Sequence, residues 1–477
     1  MGSRLVPICA SLMIFGSAEG ATLMVGPGQP YAKPCDAIAA AQANDEVDVA
    51  PGTYTDSCQI NAAGLLLKGV GGRPKIDLSA TNHPADYKGI YVVNGDNVRL
   101  ENLELTGANI PVDSTYGGNG AGVRVQANGV VIHGCYIHDN QNGILGSPPT
   151  AGSGTLTVEN SEFARNGMGA GCDVVGAGCT HNLYIGEFAK LVFRYNWTHS
   201  IATDTANKGH LLKSRAQESD VFYNRITGEN GFDSYEIDLP NGGLAIVVGN
   251  IVVKGPRAGN GISLNYGEEG LARPDHRLFV AYNTFVNTLG SGTFIKVAAG
   301  AALTAHDNLM VGSGTPSSTG ALPADNLSGI DPMFVDAAND DYHLKQGSPA
   351  MGKAVDPGSA DQTSLTARFE YVQPLQGVAR ASAHDVGAFE YGTSATPSDG
   401  GSDGVDAAGV DGASDLGGSG GGHKGGCGCV LAGDDAASLP LYALVASGLL
   451  LLVGRRRGGS RRRATARLAP GRRRGEL

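Results

Sequence analysis

The stretch 207–224, NKGHLLKSRAQESDVFYN, sets His210, Lys213 and Arg215 within six positions of an otherwise small and apolar chain. Shortly after it, DSYEIDLPNGG carries Asp233, Glu236 and Asp238. A lysine crowded by other cations can give up its proton and act as a base. Arg215 or His210 would then serve as charge stabiliser or acid. Asp233, Glu236 and Asp238 supply oxygen donors of the kind that Ca2+ takes. The same carboxylates, with Glu268 as a partner, could instead cleave a glycosidic bond, which needs one acid and one base or nucleophile. The plainest reading is an ion-pair ladder on a scaffold.

The elements that must hold these groups come from a repeat. The lines VRLENLEL, VVIHGCYI, LTVENSEF, VFRYNWTH, DVFYNRIT, IVVGNIVV, FVAYNTFV and TAHDNLMV share one frame. Their first apolar column is Leu100, Ile132, Val158, Phe193, Val221, Val247, Val280 and Ala305, at spacings of 25–35 residues. Strand-like lines at that period mean a solenoid of stacked coils. In the last five lines the next column residue is Asn196, Asn224, Asn250, Asn283 and Asn308. These asparagines are predicted to stack at one corner, bonded to each other and to turn backbone. Cys135 holds the same column and is predicted to be a buried thiol.

Within such a stack, Lys213 and Arg215 share a strand face. Burying two cations is expensive, so that face is predicted to point outward, with Leu212 and Ser214 inward. The same alternation predicts Tyr235, Ile237 and Leu239 inside and Glu236 and Asp238 outside, on the adjacent coil. Glu268 and Glu269 sit in a 13-residue insertion, NYGEEGLARPDHR, and are read as substrate-binding. With the long connections 163–181 and 199–209, that insertion would wall a groove.

The pattern resembles the right-handed parallel β-helix of the pectate-lyase-like superfamily, over about residues 22–391. The resemblance implies an all-β solenoid: residues 22–60 an N-terminal cap with a short helix at CDAIAAAQA, 61–330 the coils, and 331–391 a closing coil similar to that of secreted β-helix proteins with sorting tails. KSRAQESDVFYNRI is also similar to a coil of lyases that cleave alginate and dermatan-type chains, whose catalytic lysine would correspond to Lys213. That family pairs the lysine with an arginine on the next coil, where this chain reads SYEIDLP. The function expected is binding or cleavage of a polysaccharide or cell-surface glycan, with β-elimination of uronic-acid polymers as the enzymatic form. A non-catalytic surface or adhesion protein and a glycoside hydrolase stand as alternatives.

Composition limits the partners. Ten Arg follow residue 454 against one Glu, so the rest of the chain holds 25 Lys+Arg against 45 Asp+Glu. That acidic body excludes nucleic acid, which selects a basic surface.

Both ends read as addresses. Residues 1–21, with Arg4 before an apolar run and Ala18-Glu19-Gly20 at its end, form a secretory signal peptide. Residues 392–436 are a Gly/Ser/Asp linker that cannot bury a core, containing Cys427 and Cys429. Residues 437–454 are 18 uncharged residues, about 27 Å as a helix and enough to span a membrane. An Arg-rich tail, 455–477, follows and is predicted to stay cytoplasmic. This end resembles the myxobacterial C-terminal sorting signal, which implies export machinery, anchoring and display at the cell surface. After export Cys35 could bridge Cys58, and Cys172 could bridge Cys179.

Overall fold

The computed structural model describes residues 20–81, 84–86, 88–111, 119–167, 180–201, 209–373 and 375–393. They lie in one compact unit, Met1–Asp411. Residues 1–19 of the expected signal peptide, the expected linker beyond 393 with Cys427 and Cys429, the 18 uncharged residues 437–454, the Arg-rich end and the Cys172/Cys179 pair fall outside the described residues.

The described chain is a right-handed parallel β-helix built from three long parallel sheets. Each coil contributes one strand to each. In one coil, Phe188–Arg194 belongs to sheet 1, Trp197–His199 to sheet 2 and Leu212–Ser214 to sheet 3. Glu218–Phe222 then begins the next coil, directly on Phe188–Arg194.

The eight-residue apolar column read from the repeat runs in register through sheet 1, from Leu100 to Ala305. All eight side chains are buried in a single core running the length of the stack. At the corner between sheets 1 and 2 the asparagines form a continuous ladder. Nδ2 of Asn196 donates to Asn224 Oδ1 at 3.1 Å, and the bonds to Asn250, Asn283 and Asn308 follow at 2.9, 2.9 and 3.0 Å. The ladder runs one residue further, Asn308 donating to Asn326 at 2.8 Å. Each amide also donates to a carbonyl near the end of a sheet 1 strand on the preceding coil, such as Asn224 Nδ2 to Phe193 O at 2.8 Å, so these buried polar groups are satisfied, by strand rather than turn backbone. Cys135 takes the same corner as a buried free thiol.

A second polar column, not foreseen from the repeat, lines the corner between sheets 2 and 3. Asn140 donates to Asn166, Asn166 to Asn182 and Asn182 to Thr198, at 3.1, 2.9 and 3.0 Å. Irregular spacing hides it, because the connections at this corner vary in length.

At the N-terminal end the helix Pro34–Ala40 turns Ala37 and Ile38 onto the first coils. A disulfide joins its Cys35 to Cys58 in the first strand of sheet 3. The segment 331–391, expected as a closing coil, instead folds into antiparallel hairpins along the side of the stack. Phe334, Tyr342, Leu344, Tyr371 and Phe389 pack on Ile251, Val253, Val286 and Leu309 of sheet 2. Ala360, Leu365 and Ala367 cover Phe222, Ile246, Val248 and Phe279 of sheet 1. The reason lies in the outer faces. Early rungs of sheet 1 present a register of alternating charge, Asp48, Lys68, Glu101, His133, Glu159 and Arg194. Later rungs present apolar side chains, Phe222 and Val248 next in the same register, which must be covered.

Candidate functional site

Sheet 3 positions the charged residues. Its inner column is Leu183, Leu212, Ile237, Leu264 and Ile295, one per coil and in register. The residue after each of these points outward, giving the outer column Tyr184, Lys213, Asp238, Asn265 and Lys296. Pairing each inner aliphatic with its successor in the sequence exposes this column, including Tyr184, Asn265 and Lys296, which the charged motifs alone do not pick out.

Lys213 Nζ lies 3.1 Å from Asp238 Oδ2 on the next rung and 3.0 Å from Glu269 Oε1. Arg215 Nη2 lies 2.7 Å from the other Glu269 oxygen, Oε2. Arg215 also donates from Nε to the Tyr184 hydroxyl at 2.8 Å and from Nη1 to Asn241. Asp238 Oδ1 accepts from Asn265 Nδ2 at 2.7 Å. Asp238 is 1% exposed and Lys213 8%. Burial raises the Asp238 carboxyl above its ordinary range, with Lys213 and Asn265 opposing. Burial acts the same way on Glu269, but Lys213 and Arg215 outweigh it and hold that carboxyl low.

His210 is fixed by backbone. Its Nδ1 accepts the Tyr235 N–H at 3.3 Å, and its own N–H donates to His181 Nδ1 at 3.0 Å. With Nδ1 an acceptor, the neutral ring carries its proton on Nε2, which faces Asp238 Oδ2 at 3.4 Å. Burial first, then His181, Lys213, Lys254 and Arg215, hold its pKa well below the usual histidine range. His210 Nε2 is thus aimed at Asp238 from a buried setting that disfavours the imidazolium.

Two expected orientations are reversed. Tyr235 faces out, its hydroxyl donating to Glu268 at 2.6 Å, and Glu236 faces in with no exposure. The regular strand starts only at Ile237, so two-residue alternation does not extend back through the bend at 234–236. Inside the corner, Lys254 Nζ lies 2.8 Å from Glu236 Oε1 and 3.5 Å from Asp233 Oδ2, and donates to Ser234 O at 2.6 Å. None of the three side chains reaches solvent. Burial pushes the Glu236 carboxyl well above its usual range, against the pull of Lys254.

The three carboxylates expected to hold Ca2+ are thus divided. Asp233 and Glu236 enclose an internal ammonium, while Asp238 turns outward to Lys213. Among the described residues no group of three or more His, Cys, Asp or Glu converges as a metal site would. The set does not fit calcium. Asp233 and Glu236 are equally out of reach of a glycosidic bond. Glu268 pairs instead with Lys296 at 2.9 Å and accepts from the Tyr235 hydroxyl.

No family model matches the sequence, and no curated protein does. Solved structures resemble it in fold. The pectate lyase Pel9A aligns at 13% identity with a TM-score of 0.50, over 78% of this chain and 97% of its own. A pectin methylesterase from Aspergillus niger aligns at 13% identity and a TM-score of 0.34, over 67% and 93%. The Dettilon tailspike protein aligns at 15% and 0.33, over 61% and 60%. At 13% identity the likeness to Pel9A shows the fold alone, a parallel β-helix.

Proposed function

We propose that the outer face of sheet 3 binds polysaccharides that carry carboxylates, and that its enzymatic form is β-elimination of uronic-acid polymers. One observation carries the reading. Lys213 and Arg215 converge on a single carboxylate from the open side of the sheet, each taking one oxygen. A uronate carboxylate has the same charge and fork, and Arg215, held by Tyr184 and Asn241, is preorganised for it. The remaining outer column runs along the stack, as a bound polymer would.

In the eliminating form Arg215 neutralises the uronate. Lys213 removes the proton from the carbon beside the carboxyl group, the electron pair forms the new C=C bond, and the glycosidic C–O bond breaks. The leaving oxygen takes a proton from solvent. In the present state Lys213 is an ammonium between two carboxylates, so the base role requires Glu269 to withdraw and Lys213 to leave Asp238 and pass its own proton to solvent, with Arg215 alone holding the uronate carboxylate. Export and display at the cell surface, proposed from the two ends of the sequence, would bring the face to external glycans.

The test is incubation of the purified protein with uronic-acid polymers and neutral glucans. The reading expects retention of the acidic polymers, with ultraviolet absorbance from unsaturated ends if elimination occurs. Retention without new ends defines a binding module. New reducing ends without that absorbance would point to hydrolysis and remove the base assigned to Lys213.

A further inference from the structure

Glu269 is the outlier of the site. Its side chain is 46% exposed, against 10% for Lys213, 19% for Arg215 and 2% for Asp238. It does not belong to the sheet. It hangs from the insertion that follows Ile262–Tyr266, between Gly267 and Gly270, both in left-handed conformations at φ 82° and 101°. A few backbone bonds hold this loop over the face, including Glu269 N–H to Pro240 O at 2.9 Å and Ala272 N–H to Asn241 O at 3.0 Å. Lys213 and Asp238 are instead fixed by rungs on both sides, and the Arg215 N–H donates to Ile185 O of the preceding rung at 2.8 Å.

The charges close only with Glu269 in place. Lys213 and Arg215 carry two positive charges against the one carboxylate of Asp238. Lifting Glu269 away leaves a partly buried site with an unmatched cation, and such a site favours a replacement anion. The replacement must bring one carboxylate that spans an ammonium and a guanidinium.

We propose that Glu269 is a placeholder for the ligand carboxylate: it closes the Lys213–Arg215 pair in the free protein, and a uronate displaces it on binding. The idea rests on the reading of this face as a uronate site and adds to it a competitor built into the chain. Glu269 then opposes binding, although it lines the site and touches both of its cations. It also filters ligands, because a neutral sugar cannot replace the lost charge.

The purified full-length protein and three variants, Glu269→Gln, Glu269→Ala and Glu268→Gln, are titrated calorimetrically with oligogalacturonate and with its methyl ester. If the closed state fills about nine-tenths of the free protein, vacating the pair raises affinity about tenfold. The expected result is that gain for Glu269→Gln and Glu269→Ala, confined to the free acid. Glu268→Gln removes the same charge one residue away but leaves the cation pair occupied, so its gain is expected to be clearly smaller. Equal gains for the two glutamine variants would reduce the effect to charge repulsion and overturn the proposal. Unchanged or weaker binding by both Glu269 variants, or an equal gain for the methyl ester, would also overturn it. If wild type and variants alike ignore both ligands, the uronate reading of the face falls, and the placeholder with it.

Discussion

The Lys254 ammonium lies 2.8 Å from Glu236 Oε1, with both side chains sealed inside the coil. Removing one member of a buried ion pair leaves an uncompensated charge, at a cost of about 3–5 kcal/mol. Lys254→Met is therefore expected to lower stability by that amount in denaturant melts. Combining it with Asp233→Asn and Glu236→Gln removes every charge of the group, and this variant is expected to recover most of the loss. A triple variant no more stable than the single one would show that the interior group is not held by charge balance.

His199 gives stability a pH dependence. Its Nε2 lies 3.1 Å from Glu162 and its Nδ1 3.0 Å from Glu229. Burial disfavours the imidazolium, but the two carboxylates outweigh it and raise the pKa above the ordinary value. A raised folded-state pKa adds stability that is complete below the unfolded value of about 6.5 and fades as pH rises through the folded one. The gap in thermal midpoint between wild type and His199→Gln should be widest near pH 5 and shrink above neutrality. A gap that widens with pH would reverse the sign assigned here.

The bridge between Cys35 and Cys58 ties the capping helix to the first strand of sheet 3 across 23 residues of sequence. In the chain-entropy model, opening a loop of that length costs about 3 kcal/mol. Denaturant melts of Cys35→Ser/Cys58→Ser should show that loss. An unchanged midpoint would mean that the helix is held by the packing of Ala37 and Ile38 alone.

Calcium offers a separate check on the site's electrostatics. Because Asp233 and Glu236 already enclose Lys254, and Asp238 already holds Lys213, the thermal midpoint should be the same in calcium and in chelator. A calcium-dependent rise that Asp238→Asn abolishes would contradict the placement of these carboxylates.

The scaffold was legible because it repeats. One apolar position per coil and one asparagine corner are enough to set the register of sheet 1, and the cost of burying two cations sets the outward course of Lys213 and the inward course of Leu212 in sheet 3. What alternation could not reach was the bend at 234–236, where Tyr235 and Glu236 exchange faces. The partner that draws Glu236 inward, Lys254, belongs to a strand of sheet 2 and shares no motif with it. The course of 331–391 was hidden for a related reason. A segment that covers the side of a solenoid is selected by the aliphatic outer faces of Ile246, Val248, Ile251 and Val253, not by the coil period.

The most direct test of the central claim is calorimetric titration of oligogalacturonate into wild type and into a Lys213→Met/Arg215→Gln variant of confirmed fold. We predict binding by wild type that weakens with added salt, as screened charge contacts do, and no measurable heat for the variant. Equal affinity in the two proteins would place any glycan site of this molecule elsewhere.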